Sequence, residues 1–318
     1  MFKIGTYLPS KVLSNEDLEY LGWSAKKIFA KTGIKQRHIT LENETALDLA
    51  YKACLNLFLK YNINKDEVDY ILYCTQSPDY NLPNNVSILH KRLNLPNYIP
   101  SLEYNQGCSG YIYGLSLAKA LINTNLATKI LLVTSDTYTK YIDNQDRANK
   151  TIFGDGATAT LLTKNEIDRF GEFIFGTDGK GSCNLCVNSS GLSKEKLTQE
   201  GFENSLFMNG SEIFNFTLET VPYSIEKVLE KNSLHFENID YFLFHQANDF
   251  MLEHLREKLE ISQEKFPKFI ENSGNTVSST IPFLINDLNE KQILKKGDKL
   301  LLIGFGVGYS WGATVIEY

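Results

Sequence analysis

Short apolar runs rich in β-branched and aromatic residues recur along the chain at Tyr70–Cys74, Lys129–Thr134, Thr158–Thr163, Tyr241–His245 and Leu300–Gly304. Nearly unbroken apolarity over so few residues predicts strands covered on both faces. Between them apolar positions return every three to four residues, over Ala46–Tyr61, Tyr111–Asn123, Ser211–Lys231, Phe250–Leu259 and Val277–Leu288, and this period predicts amphipathic helices. Strands alternating with helices define an α/β fold with a mainly parallel central sheet.

The pattern also repeats. Val68–Cys74 (VDYILYC) reads like Ile239–His245 (IDYFLFH), Lys129–Val133 like Lys299–Gly304 less one residue, and Gly156–Ala159 (GATA) like Gly312–Val315 (GATV). Three matches in one order imply two similar α/β halves, residues 1–165 and 166–318, joined near the polar stretch Lys164–Arg169. The Gly-, Ser- and Lys-rich segment Gly176–Lys196 reads as an exposed loop.

With 42% hydrophobic and 22% charged residues among 318, the composition is globular and excludes disordered, collagen-like and fibrous coiled-coil classes. Lys and Arg number 32 against 38 Asp and Glu, a net charge of -6, which argues against nucleic acid or an anionic membrane as the partner. An acidic partner would need a local basic patch. The five cysteines, Cys54, Cys74, Cys108, Cys183 and Cys186, form an odd and scattered set, read as free thiols in a reducing cytoplasm. No signal-like apolar run opens the sequence and no stretch approaches about 18 apolar residues, so no membrane location is expected.

Three positions stand out chemically. Cys108 sits in the small-residue turn Asn105–Gly110 (NQGCSG) just before a helix, where the helix dipole and free N–H groups favour a thiolate and a lowered pKa. A lone cysteine is more often a packing thiol, but flanking glycines serve the close approach of a substrate rather than packing. His245 closes a strand at the end where α/β sheets bind ligands, although a satisfied strand-end histidine is about as common there. Asn275, in the turn Asn272–Thr276 (NSGNT), aligns with Cys108 in the repeat, and alone it would read as a helix N-cap. Equivalent turns of a duplicated fold face each other across the pseudo-axis, so Cys108 and Asn275 are expected to meet His245 at one central site. Other motifs carry less: Gly304–Gly308 (GFGVG) lacks dinucleotide-loop spacing, and Cys183 with Cys186 has no second pair to complete a metal site.

Taken together, Lys31–His38 (KTGIKQRH), Gly107–Tyr111 (GCSGY), Phe153–Ala157 (FGDGA), His245–Asn248 (HQAN), Gly274–Thr276 (GNT) and Trp311–Ala313 (WGA) resemble the thiolase-like condensing enzymes, and among them the β-ketoacyl-acyl carrier protein synthase III family. The resemblance covers nearly the whole chain. It implies two duplicated halves packed as a five-layer α-β-α-β-α sandwich. It also implies an acyltransferase forming a β-ketoacyl thioester by decarboxylative Claisen condensation, with Cys108 as the acylated nucleophile. His245 and Asn275 would bind the extender thioester carbonyl, and the N–H groups of Cys108 and Val307 would form the oxyanion hole. No metal or other cofactor is implied, only coenzyme A or acyl carrier protein thioesters as substrates.

A homodimer is implied too, with Leu82 closing the partner's acyl pocket. Lys27 and Lys31 stand where coenzyme A-using relatives hold the adenine with a Trp and an Arg. Phe250 replaces a further Arg, while Arg147 matches. These departures leave the choice between coenzyme A and an acyl carrier protein open, and Arg256 and Lys258 offer a basic patch for the carrier. Gln76 occupies the place where hydroxymethylglutaryl-coenzyme A synthases need a glutamate, and no cysteine follows Cys186 as a biosynthetic thiolase requires. Two alternatives stay open: transfer of the acyl group to an amine or hydroxyl of a sugar or secondary metabolite, and a silent partner in a heterodimer.

Overall fold

A computed structural model describes residues 2–188 and 191–318. The first sheet holds β1 (Lys3–Tyr7), β2 (Tyr70–Cys74), β3 (Ser101–Tyr104), β4 (Lys129–Asp136) and β5 (Gly156–Thr163) in the order β1-β5-β4-β2-β3. The second holds β6 (Phe170–Thr177), β7 (Tyr241–Phe244), β8 (Lys299–Gly306) and β9 (Ser310–Glu317) in the order β7-β8-β9-β6. Read from the same edge, β6-β9-β8-β7 repeats β1-β5-β4-β2, and β3 is the extra strand.

Both sheets are mixed rather than mainly parallel. The pairs β2/β4, β2/β3 and β7/β8 are parallel, whereas β1/β5, β4/β5, β8/β9 and β9/β6 are antiparallel. The antiparallel strands β1, β6 and β9 were the ones apolar runs alone do not reveal: β6 (FGEFIFGT) alternates buried and exposed positions, and glycine interrupts β1 and β9.

The helices that matter for the site are α1 (Ala25–Thr32), α2 (Ala46–Lys60), α3 (Gly110–Asn123), α4 (Gly210–Lys231), α5 (Asp249–Lys258) and α6 (Thr280–Glu290). Their apolar faces set the layers. Leu49, Ala53 and Leu57 of α2 pack on Ile71, Tyr73 and Val133 of the first sheet. Ile112, Leu115 and Ala118 of α3, with Ile281, Leu284 and Leu288 of α6, fill the space between Leu72 and Leu132 on one sheet and Leu243 and Leu302 on the other. Val221 and Ile225 of α4 and Leu252 and Leu255 of α5 cover Phe242, Leu301 and Ile303 on the far side. Five α-β-α-β-α layers result, and α3 and α6, apolar over most of their surface, form the middle one.

Caps fix where helices begin. Thr45 and Asp48 close a capping box on α2, and the Asn248 side chain accepts the Met251 N–H at 2.9 Å to start α5. The segment Gly176–Lys196 is not simply an exposed loop: Leu185–Val187 pairs with Leu206–Met208 in a small antiparallel ribbon and buries Leu185 and Cys186. Residues 189 and 190 of that segment lie outside the described residues. Among the described residues no helix is long and apolar enough to cross a membrane, and all five cysteines are free.

Candidate active site

The nucleophile turn is built by glycines. Gly107–Ser109 forms one 3₁₀ turn ahead of α3, with Gly107 at φ 53°, a left-handed conformation that favours glycine. Strand β8 then runs against the turn so closely that a Cβ on Gly306 would lie 2.8 Å from Cys108 Cβ and 3.0 Å from its Sγ, and one on Gly304 2.8 Å from the Cys108 carbonyl oxygen. Ser109 and Ser310 share a hydroxyl hydrogen bond of 2.7 Å that fastens the turn to β9.

Across from it, the turn Val277–Ser279 leads into α6 as the nucleophile turn leads into α3. Ser279 joins its hydroxyl to that of Thr134 on β4 at 2.8 Å, and Ser278 donates to the Asp136 carboxylate at 2.5 Å. Just before this turn, Asn275 Oδ1 accepts the Val277 N–H at 2.9 Å. That bond orients the carboxamide and leaves Nδ2 without a hydrogen bond among the described residues. His245 follows β7, its N–H bonded to the Ile303 carbonyl at 2.9 Å. Cys108, His245 and Asn275 line one cavity of about 120 Å³, walled by Phe153, Leu185 and Phe305.

Burial dominates the electrostatics here. It pushes the Cys108 thiol up to about 12, with the nearby Asp136 carboxylate adding to the rise and the N–H groups of Val307 and Cys108 opposing it. The lowered thiol pKa expected from the helix terminus is therefore overturned, because loss of solvent outweighs the N–H groups. Burial likewise raises Asp136 to about 7 and lowers His245 to about 3, so the imidazole is neutral at physiological pH. The Thr280 hydroxyl lies 2.7 Å from His245 Nδ1 and 3.2 Å from the Val277 carbonyl. A hydroxyl has one proton to give. Donated to Val277, it accepts from Nδ1–H and leaves Nε2 a base; donated to Nδ1, it leaves Nε2–H a donor. The hydroxyl orientation and the ring tautomer are thus linked: exchanging the two roles takes a hydroxyl rotation together with a proton passed from one ring nitrogen to the other, and leaves the ring neutral.

Several motif residues belong to the frame. Gln246 donates to the Phe244 carbonyl at 2.7 Å and accepts the Phe269 N–H at 3.0 Å. Arg37 is buried, bonded to Asn15 and to the Thr151 carbonyl, each at 2.9 Å. Asp155 accepts from Thr40 and Thr139.

The remaining expected residues lie away from Cys108. Lys31 and Arg147 do come together, on a residue the sequence reading missed: Trp23. Its ring carries the Arg147 guanidinium at 4.2 Å, Lys31 Nζ at 5.2 Å and Lys27 Nζ at 5.3 Å. Trp23 lies just before the cap of α1, outside the helix, so no helical spacing in the sequence marks it as a partner of Lys27 and Lys31. Phe250 packs against Phe214 and His254. Arg256 is held by Glu253 at 2.8 Å and by the Ile261 carbonyl at 3.1 Å, and Lys258 by the Leu218 carbonyl at 2.7 Å. The basic patch expected at Arg256 and Lys258 is thus engaged internally and does not border the cavity. Leu82 is 89% exposed and also outside it.

Residues 102–179 match the family model for 3-oxoacyl-[acyl-carrier-protein (ACP)] synthase III, and residues 229–318 match that for its C-terminal part. The chain is 36% identical over 325 residues to the β-ketoacyl-[acyl-carrier-protein] synthase III of Clostridium tetani, covering 99% of this chain and 96% of that one. The corresponding protein of Clostridium acetobutylicum is 34% identical over 316 residues, covering 99% and 97%. Among solved structures, a 3-oxoacyl-(acyl-carrier-protein) synthase III superposes with a TM-score of 0.94 at 43% identity, covering 99% of this chain and 98% of that one. The synthase III of Thermus thermophilus superposes with 0.91 at 32%, with the same coverage.

Proposed function

The chain belongs to the 3-oxoacyl-[acyl-carrier-protein] synthase III family of condensing enzymes, and from that premise we propose that it builds a β-ketoacyl thioester in two stages at the Cys108 cavity. In the first, the Cys108 sulfur attacks the carbonyl of an incoming acyl thioester. The carbon–sulfur bond of the donor breaks, the thiol proton goes to the departing thiolate, and the acyl group remains on Cys108 at nearly unchanged free energy. In the second, a malonyl thioester loses carbon dioxide, and the electron pair of the broken carbon–carbon bond becomes an enolate. Nε2–H of His245 and Nδ2–H of Asn275 hold the enolate oxygen, neutral donors fixed in a water-poor cavity where each acts strongly. The enolate carbon attacks the acyl-cysteine carbonyl, whose developing oxyanion is met by the N–H groups of Cys108 and Val307. Collapse expels the sulfur, which takes up a proton from solvent, and releases the β-ketoacyl thioester.

The observation that carries this reading is that one cavity holds a thiol together with the uncharged hydrogen-bonding side chains of His245, Asn275 and Asn248 and, among the described residues, no cation. The test is to incubate the protein with acyl-coenzyme A and acyl-carrier donors, read the mass gain on Cys108, then add a malonyl thioester. Mass gain followed by its loss into a product two carbons longer supports the scheme. Acylation that persists in Cys108→Ala refutes it.

The cluster of Lys27, Lys31 and Arg147 on Trp23 supports a binding place for the anionic end of the donor, either the phosphates of coenzyme A or an acidic acyl carrier protein. Leu102, exposed on the edge strand β3, and Tyr80 and Leu82, exposed in the loop after β2, support a homodimer in which Leu82 enters the partner's acyl pocket. Duplicated halves at 1–165 and 166–318 and a cytoplasmic location complete the reading.

A further inference from the structure

A second cavity, also about 120 Å³, opens beside Val307 and shares the Leu185 wall with the first. Its lining is mixed: Gln76, Asn105, Tyr138 and Tyr141 supply polar groups beside five apolar residues, Leu185 and Val307 among them. The Gln76 carboxamide lies directly on the nucleophile turn, since a Cβ on Gly107 would fall 2.4 Å from Gln76 Oε1. Its position is held at three points. The Tyr138 hydroxyl donates to Oε1, the Tyr141 hydroxyl donates to the Gln76 carbonyl at 3.1 Å, and the Gln76 N–H donates to Asp136 at 2.7 Å. Among the described residues Nε2 makes no hydrogen bond, which leaves its N–H groups as unused donors on a side chain that lines the chamber. The Tyr138 oxygen, its proton engaged on Gln76, is left as an acceptor.

A plain hydrocarbon chain entering here would strip water from these groups and give nothing back. A carboxylate would find no Lys, Arg or His in the lining. A hydroxyl suits both groups, accepting from Gln76 Nε2 and donating to the Tyr138 oxygen. The amide abuts the residue next to the nucleophile, so that hydroxyl must sit within the first few carbons of the chain. We propose that this chamber receives the acyl group borne by Cys108 and selects a short chain hydroxylated at carbon 3 or 4, an inference that rests on the acyl-cysteine reading above.

The experiment offers the full-length protein limiting butyryl-pantetheine, or either enantiomer of 3-hydroxybutyryl-pantetheine, and follows the initial rate of mass gain on Cys108. A site built to hydrogen-bond a hydroxyl rejects the analogue lacking it, so one hydroxylated enantiomer should acylate at least about tenfold faster than butyryl. In Gln76→Leu that ratio should collapse toward one, and Tyr138→Phe should lower it in the same direction. Should either variant fail to fold, the wild-type ratio still decides. Butyryl acylating as fast or faster in the wild type overturns the hydroxyl selection while the acyl-cysteine reading stands. No mass gain from any donor overturns both, and a ratio unchanged in folded Gln76→Leu removes Gln76 as the selector.

Discussion

Each of the three residues at the cavity is defined by what its neighbours withhold as much as by what they supply. Asn275 gives its Oδ1 to Val277 and keeps Nδ2 for a ligand, and His245 rests on Thr280 with Nε2 open. His245→Ala and Asn275→Ala should each lose about 10²–10³ in condensation rate while Cys108 still gains acyl mass, because these donors are assigned to the enolate. Loss of acylation in both folded variants would sink that division.

The buried imidazole also makes a prediction about stability. Its folded pKa, about 3, lies below the ordinary value of 6.5, so between those pH values the unfolded chain binds the extra proton. Stability from this group is present above pH 6.5 and is lost as pH falls, by at most about 1.4 kcal/mol per pH unit. Asp136, raised to about 7, has the opposite sign in the same window, because the folded state holds its proton more tightly. The wild-type slope is a difference of the two. His245→Asn removes one side, so denaturant melts at pH 7.5 and 5.0 should show the variant losing less stability on acidification than the wild type. An equal or larger loss would contradict it.

That Cys108, His245 and Asn275 meet at one cavity was legible because each stands in a local signal, a small-residue turn or a strand end, readable without knowing what packs against it. The contacts of Trp23, Thr280 and Tyr138 were not, and Gln76 was legible only as a departure from a related family. Trp23 matters through Arg147, and Gln76 through Tyr138, partners remote in sequence and joined only by folding. The thiol's pKa was misread for a related reason: a helix terminus is visible in sequence, but the depth of burial that overrides it is not.

Among the elements, β8 does the closest positioning. It lays Gly304 and Gly306 against the nucleophile turn at distances that leave no room for a methyl group. Gly306→Ala must displace Cys108 itself and should cut its acylation rate by at least about tenfold with the fold retained, as mass spectrometry would show. Gly304→Ala meets backbone atoms of Cys108 and Ser109 instead, and should cost stability, about 1–3 kcal/mol, read as a lowered melting temperature. If both variants behave as wild type, the contact is looser than described.

The same scale shows where apolar pattern suffices. Strand β2 ends where its apolar run ends, at Tyr70 and Cys74, and both its faces are covered by helices. Strand β6 alternates buried and exposed positions, both β6 and β9 carry glycines, and the register shift between Thr314 and Ile316 breaks their regularity further. Their place is set by pairing with each other and with β8, which a run of residues does not announce.

Over the whole molecule, the repeated strand order turns two similar sheets toward one middle layer, and the site sits where their equivalent turns touch. The positive charge proposed to meet the donor stands apart from the thiol cavity, on Trp23. Lys27→Glu with Lys31→Glu should slow acylation by carrier-bound or coenzyme A donors at low salt, with the deficit shrinking as salt rises, because steering charges act on encounter. A pantetheine donor, which lacks the phosphate-rich end, should be unaffected, and equal slowing of all three would argue against the assignment. Sedimentation at micromolar concentration should find twice the chain mass for the wild type and a shift toward the monomer in Leu82→Asp.

The order in which the chain leaves the ribosome gives the shared site a further meaning. Cys108 emerges well before His245, Asn275 and Val307, and every donor it needs except its own N–H comes from those later segments. A nascent chain therefore carries an ordinary thiol with no means of directing acyl chemistry. Once the later strands dock, burial holds the same thiol protonated until a thioester enters. The strands that complete the site are thus the same ones that hold its sulfur protonated, whereas the thiol of the unfinished chain, still in solvent, ionises more readily.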